Sequence, residues 1–282
     1  MTEAKTLKLG LIGDNIAKSR APVLHRLAGE QNGIAVTYDR LVPREMGLDF
    51  DGVFAHAAEH CRGINVTYPY KERAFDKVTV EDPLVQAVGA VNTVLFEPGG
   101  PRGANTDYSG FMEGYRKVRG DAAPGAVLMI GTGGVGRAVA FGLVGLGASE
   151  IRLVDRDTAK AEVLAGALRA AAPMLSVSVH TDAAEAAAGV QGVINCTPVG
   201  MVGYEGTPLP KEAMRGAEWA FDAVYTPVDT QFLTDAEAQG LDIISGWELF
   251  FFQGVHAWDL FSGTPLDHAA LEAGLKAANS DS

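Results

Sequence analysis

One run, Gly131-Thr132-Gly133-Gly134-Val135-Gly136, restricts this chain more than any other. It follows the apolar stretch 126–130 and opens a helical stretch that continues to 146, and the next strand-like run, 151–155, ends in Asp155. Each glycine has a task in a strand–turn–helix unit that binds a dinucleotide. Gly131 permits the tight turn, Gly133 lets the backbone approach a pyrophosphate, and Gly136 lets the helix close on the sheet. The free amides and dipole of the helix start favour phosphate. A glycine string alone is equally a packing turn; strand, helix and acid together point to a dinucleotide. Asp155 can accept both ribose hydroxyls of NAD and repels the 2′-phosphate of NADP, while the neighbouring Arg156 offers that phosphate a guanidinium. NAD is expected, with NADP left open.

The rest of the chain fits an α/β fold around this unit. Residues 7–13, 35–42 and 63–67 read as strands, 22–31 and 47–61 as helices, and 90–96 and 102–106 as a hairpin about Glu97-Pro98-Gly99-Gly100-Pro101. These form an N-terminal α/β substrate domain over 1–108. Beyond it, runs at 151–155, 177–180, 193–196, 219–223 and 242–244 alternate with helical stretches such as 158–172. That alternation predicts a doubly wound, Rossmann-type parallel sheet over 109–246. Helices at 247–261 and 265–278 are expected to return to the N-terminal domain, with the domain boundary inside a helix at 107–119.

Composition narrows the partners. With 282 residues, 47% hydrophobic, the chain has material for packed cores, and its net charge of −12 argues against nucleic acid and anionic membranes as partners. Its two cysteines, Cys61 and Cys196, lie far apart without metal-ligand spacing, so neither a disulfide nor a metal site is expected. The run at 7–13 is too short for a secretory leader, and no run is long enough to span a bilayer. A cytoplasmic monomer or homodimer acting on a small molecule is the expectation.

Four polar clusters then stand out in the N-terminal half: Ser19-Arg20-Ala21-Pro22, Asn65 through Lys71, Ala90 through Thr93, and Asn105-Thr106-Asp107. Each falls at a strand end or helix start, where open α/β sheets place ligands. Any one of them reads equally well as a cap or turn.

With these motifs in order, the sequence resembles the shikimate dehydrogenase family, including its quinate/shikimate dehydrogenase branch. The resemblance covers nearly the whole chain through GDNIAKSRAPVLH (13–25), NVTYPYK (65–71), AVNT (90–93), GANTDYSG (103–110), GTGGVGRA (131–138), NCTPVGM (195–201), FDAVYTP (221–227) and GWELFFFQ (246–253). It implies a catalytic acid–base pair at Lys71 and Asp107. It implies that a polyhydroxylated ring is held by Ser19, Asn65, Thr67, Asn92, Tyr225 and Gln253. On the cofactor side it implies Gly131 to Gly136, Asp155 and Arg156, with Cys196, Thr197, Pro198, Val224 and Gly246 near the nicotinamide. A protein that kept this fold and lost turnover would have no need of Lys71 and Asp107.

The residue chemistry agrees with that assignment. A ring carrying hydroxyls and a carboxylate needs neutral donors and acceptors, which Asn, Thr, Ser and Gln supply. Reversible carbonyl reduction needs a proton donor at the forming alkoxide, and a lysine beside an aspartate serves. Two departures from the family pattern are visible. Ala21 replaces a second hydroxyl residue near Ser19, a loss of about 0.5–1.5 kcal/mol per missing hydrogen bond, and Lys18 stands where biosynthetic members carry histidine. Lys18 and Arg20 are candidates to compensate electrostatically, or surface charges. His25 is read as a structural hydrogen-bonding residue, Cys196 as unreactive, and Phe250-Phe251-Phe252 with Trp247 and Trp258 as core packing against the N-terminal domain, which places Gln253 over the cleft.

Overall fold

Short runs, most of them of β-branched and aliphatic residues, generate two separate sheets. The computed structural model describes residues 6–280. These fall into two units: residues up to Thr106 together with those from Gln253 onward, and Asp107–Phe252.

In the first unit the chain runs through β1 (Thr6–Ile12), α1 (Ala21–Gln31), β2 (Ala35–Leu41), α2 (Pro43–Met46), α3 (Phe50–His60), β3 (Gly63–Val66), α4 (Lys71–Phe75), α5 (Pro83–Val88), β4 (Thr93–Glu97) and β5 (Gly100–Ala104). The sheet order is β2-β1-β3-β4-β5. β1 is parallel to β2 and β3, whereas β4 is antiparallel to β3 and β5. All four residues of β3 are buried, as expected for a strand covered on both faces. The expected helix at 47–61 is the shorter α3, and α2 precedes it, outside the expected bounds. Gly47 adopts φ +67, which ends α2, and the Asp49 carboxylate accepts from Gly52 N–H at 2.8 Å to start α3. Such a cap is worth about 1 kcal/mol. The hairpin strands sit later and earlier than expected, which leaves Asn92, Asn105 and Thr106 outside them.

The second unit contains α6 (Thr106–Arg119, from its second residue), β6 (Ala126–Ile130), α7 (Gly134–Gly145), β7 (Glu150–Val154), α8 (Thr158–Ala171), β8 (Ser176–His180), α9 (Ala183–Ala186), β9 (Gly192–Asn195), β10 (Trp219–Asp222), α10 (Gln231–Glu237) and β11 (Asp242–Ile244). The order β11-β10-β9-β6-β7-β8 is parallel throughout, the doubly wound arrangement. Leu128, Val193, Ala220 and Phe232 pack its core with no exposed surface.

Two helices follow, α11 (Gly246–Ser262) and α12 (His268–Ser280). The expected division at 246 falls instead between Phe252 and Gln253, inside α11. The aromatic string accordingly finds ring partners in the second unit, with Phe250 stacked on Tyr225 at 5.4 Å. From Gln253 onward α11 belongs to the first unit, where Phe261 lies against Gly63. Among the described residues no helix is long and apolar enough to cross a membrane.

Candidate active site

In the first unit the polar motifs meet at the carboxyl ends of β1 and β3. Tyr38 from β2 reaches past the intervening β1, and its hydroxyl donates to Asn65 Oδ1 at 2.8 Å. Asn65 Nδ2 donates to the Asn92 carbonyl at 3.2 Å and to Thr93 Oγ1 at 3.0 Å, so both amide hydrogens are used within the protein. Asn92 Oδ1 accepts from Thr106 N–H at 2.7 Å and from the hydroxyls of Thr93 and Thr106, each at 3.1 Å. Its Nδ2 donates to Gln253 Oε1 at 3.4 Å, which brings two expected substrate residues together and leaves Asn92 one amide hydrogen for a ligand. Thr67 is tied to β1 by its N–H, which donates to the Ile12 carbonyl at 2.9 Å.

Lys71 is half-buried and opens α4, its carbonyl accepting from Val91 N–H at 3.1 Å. Ser19 lies in the turn before α1, where its hydroxyl accepts from Ala21 N–H at 3.3 Å and its carbonyl from Arg40 at 3.2 Å. Arg20 is a structural anchor: its guanidinium donates to the Leu275 carbonyl in α12 at 2.8 Å.

His25 is buried and stacks on Tyr38 with centroids 5.0 Å apart. Burial lowers its pKa to about 3, only partly opposed by a hydrogen bond with Asn65, so the ring is neutral at working pH. Its Nδ1 has no partner. It is therefore the structural residue expected, with half of its hydrogen-bonding capacity unused. The sequence reading placed Thr93 and Thr106 in its polar clusters without giving them a role, and it missed Tyr38, for which the alternation of half-buried and exposed positions along β2 was the available signal.

In the second unit, Asp107 is buried in the first turn of α6, where the helix dipole favours a carboxylate. The glycine run turns between β6 and α7. Gly131 has φ +97, and a Cβ there would lie 2.7 Å from the Cys196 backbone. A Cβ on Gly136 would meet the Gly131 carbonyl at 2.2 Å, so the helix closes as expected. Over Gly133 and Gly134 the space is open: a Cβ at Gly133 would meet only Lys160 Nζ, at 3.9 Å, and one at Gly134 nothing. An open surface of amides at a helix start fits a pyrophosphate.

Asp155 follows β7. Its Oδ2 accepts from the Thr132 N–H and hydroxyl, both at 2.7 Å, and its Oδ1 from Asp157 N–H at 3.0 Å. Burial opposes ionisation here, but those bonds and the charge of Lys160 outweigh it and hold the carboxyl below its usual range. One lone pair on Oδ1 is left for a ribose hydroxyl; a second would displace the Thr132 hydroxyl. Arg156 is exposed. Lys160, near both the open loop and Asp155, was missed because only the coil of α8 brings it there. The Cys196 thiol is pushed up by burial and by the charge of Asp222, consistent with an unreactive side chain. Val224 is buried, and its carbonyl lies where a Cβ on Gly246 would fall, at 2.5 Å.

Comparison with known proteins decides the family. Residues 11–94 match the model of the shikimate dehydrogenase substrate binding domain. A quinate/shikimate dehydrogenase (NAD(+)) from Corynebacterium efficiens is 36% identical over 95% of this chain and 97% of its own. The chain belongs to the shikimate dehydrogenase family. Among solved members, quinate dehydrogenase from Corynebacterium glutamicum in complex with NAD superposes with a TM-score of 0.92 at 31% identity, covering 97% of this chain and 99% of that one. Shikimate 5-dehydrogenase from Thermus thermophilus in complex with NADP(H) and shikimate gives 0.84 at 33%, covering 96% and 99%. Both cofactor types thus occur among similar members of the family.

Proposed function

We propose that this chain is a cytosolic NAD-linked dehydrogenase that interconverts shikimate, quinate or a close cyclic hydroxy acid with its 3-dehydro ketone. Family membership supports the reaction class, and the observation that carries the choice of NAD is Asp155. An ionised carboxylate fixed to the glycine loop at the end of β7 accepts from a ribose hydroxyl and repels a 2′-phosphate.

The dinucleotide, when bound, supplies or accepts the hydride. The chain does the rest. Ser19, Thr67, Asn92 and Gln253 bind and orient the ring through neutral donors and acceptors, and Tyr225 contributes a hydroxyl. Asn65, its amide hydrogens spent on Asn92 and Thr93 and its oxygen on Tyr38 and His25, meets the ring only by exchanging one of these partners and otherwise fixes its neighbours. Lys71 holds a proton at Nζ for the forming alkoxide and stabilises the charge that develops there. Asp107 completes the acid–base pair. Thr197, Pro198, Val224 and Gly246 shape the nicotinamide side.

A second reading, an NADP-linked biosynthetic enzyme, is favoured by Arg156 and Lys160 beside Asp155. Initial rates with shikimate and quinate, each against NAD and NADP, separate the two. Higher kcat/KM with NAD is expected. Higher kcat/KM with NADP reverses the reading of Asp155, and no turnover with any pair abandons the enzyme assignment.

A further inference from the structure

One carboxylate in the second unit has no part in the chemistry above. Asp222 ends β10 and has no exposed surface. Its Oδ1 accepts from Val224 N–H at 2.9 Å and from Asn195 Nδ2 at 3.0 Å, and its Oδ2 accepts from the Thr230 hydroxyl at 2.6 Å. Those donors sit on separate segments, and each organises its own. Asn195 ends β9, and its Oδ1 accepts from the Thr197 N–H at 2.9 Å and hydroxyl at 2.7 Å, while Nδ2 also donates to the Val199 carbonyl at 3.0 Å. Thr230 caps α10, its oxygen accepting from Leu233 N–H at 3.3 Å. Val224 lies in the turn after β10.

The sheet order says what these segments face. The strand order reverses between β6 and β9, which is where an open α/β sheet binds its ligand. With the pyrophosphate on the loop after β6 and the adenosine ribose at Asp155 after β7, the other half of the dinucleotide runs the opposite way, over the ends of β9 and β10. The segments tied together by Asp222 are the ones found there.

We propose that Asp222 is a positioning residue for the nicotinamide half of the cofactor, clamping residues 196–199 to residues 223–230 through Asn195, Val224 and Thr230. The proposal rests on the dinucleotide reading of this unit. It gives roles to Asn195, Asp222 and Thr230, three buried polar residues to which the glycine loop and Asp155 assign none. The carboxyl is raised to about 6 by burial, opposed by the Thr230, Val224 and Asn195 bonds, so it is ionised and acts as a pure acceptor at neutral pH.

The test is calorimetric titration of wild type, Asp222→Ala and Asp222→Asn with NADH and with ADP-ribose, which lacks the nicotinamide. Asp222→Ala is expected to weaken NADH by roughly tenfold or more, from orphaned donors and slack segments, and ADP-ribose by less than about twofold. Asp222→Asn should hold NADH within about threefold, because its oxygen still accepts from Val224 and Asn195 and its amide donates to the Thr230 hydroxyl. Equal weakening of both ligands by Asp222→Ala, or none, overturns the clamp. Wild type that binds neither NADH nor, in a parallel titration, NADPH overturns the dinucleotide reading and the clamp with it. Should Asp222→Ala not fold, Thr230→Val cuts one arm and must show the same preference for weakening NADH over ADP-ribose.

Discussion

The two units bury polar groups at their strand ends in opposite ways. In the first, the hub is neutral: amides and hydroxyls of Tyr38, Asn65, Asn92, Thr93 and Thr106, with a neutral imidazole at His25. In the second, the hub is a carboxylate, Asp222, which accepts from Asn195, Val224 and Thr230. Neutral groups both donate and accept, so they can re-pair around a ring of hydroxyls, and Asn92 keeps a hydrogen for that purpose. A buried carboxylate only accepts and, once satisfied, resists change. One hub is suited to reading a ligand and the other to holding a shape.

The sharpest break in this comparison comes at Lys71, a cation set beside the neutral hub. Lys71→Ala is expected to lower kcat by about 10²–10⁴-fold with a smaller change in KM. Near-normal kcat would mean that the neutral groups do the chemistry and the assignment is wrong. Asp107→Ala should lose a similar amount, and the double variant less than the combined losses, the result expected if the proposed pair acts as a unit.

Acid distinguishes the hubs next. His25 has its folded pKa lowered to about 3, below the unfolded 6.5, so its contribution to stability is present above 6.5 and is lost as the pH falls towards 3. Asp222 has its folded pKa raised to about 6, above the unfolded 3.8, so its contribution is present below 3.8 and is lost as the pH rises through 6. Asp222→Asn should therefore gain on wild type by about 2–3 kcal/mol between pH 4 and 7, and His25→Phe should flatten the acid-side loss. Urea denaturation across that range measures both. Parallel curves for wild type and Asp222→Asn would show that Asp222 does not titrate in the fold.

Cofactor choice tests the rigid side on a smaller scale. Asp155→Ser removes a ribose acceptor and a repulsive charge and leaves Arg156 and Lys160. The kcat/KM ratio of NADP to NAD should rise by about tenfold or more. An unchanged ratio would place the choice elsewhere.

The smallest effect is expected at Ala21. Ser19 spends its oxygen on the Ala21 N–H, and Ala21→Ser adds a hydroxyl at the start of α1. One more hydrogen bond of about 0.5–1.5 kcal/mol lowers KM for shikimate roughly three- to tenfold, with kcat nearly unchanged because the carboxylate is remote from the reacting carbon. A flat or higher KM would mean that Ala21 makes room for a different ring substituent.

Much of this was legible in the sequence, and the misses share a cause. The glycine run was readable because its strand, turn and helix are contiguous, and the hairpin because Pro98-Gly99 marks its tip. The short α5 went unread although Asp82 caps it and Pro83 opens it, since six residues show too little periodicity. The hub was invisible as a hub. Tyr38 and Asn65 meet only because β1 lies between their strands, and strand order is a property of the sheet and not of any local pattern. Lys160 was hidden for a similar reason, as a helix position whose reach depends on the turn beneath it.

The division of the chain at Thr106 and Phe252 also orders events during synthesis. The second unit is one uninterrupted stretch and can complete its sheet as soon as it leaves the ribosome. The first unit emerges earlier but lacks the end of α11 and all of α12, so Gly63 has no Phe261 over it and Arg20 no Leu275 carbonyl to hold. The half made first is therefore finished last. A chain stopped after Phe252 should yield a cooperatively folded second unit joined to a first unit that is open to protease, and protection of both would refute that order.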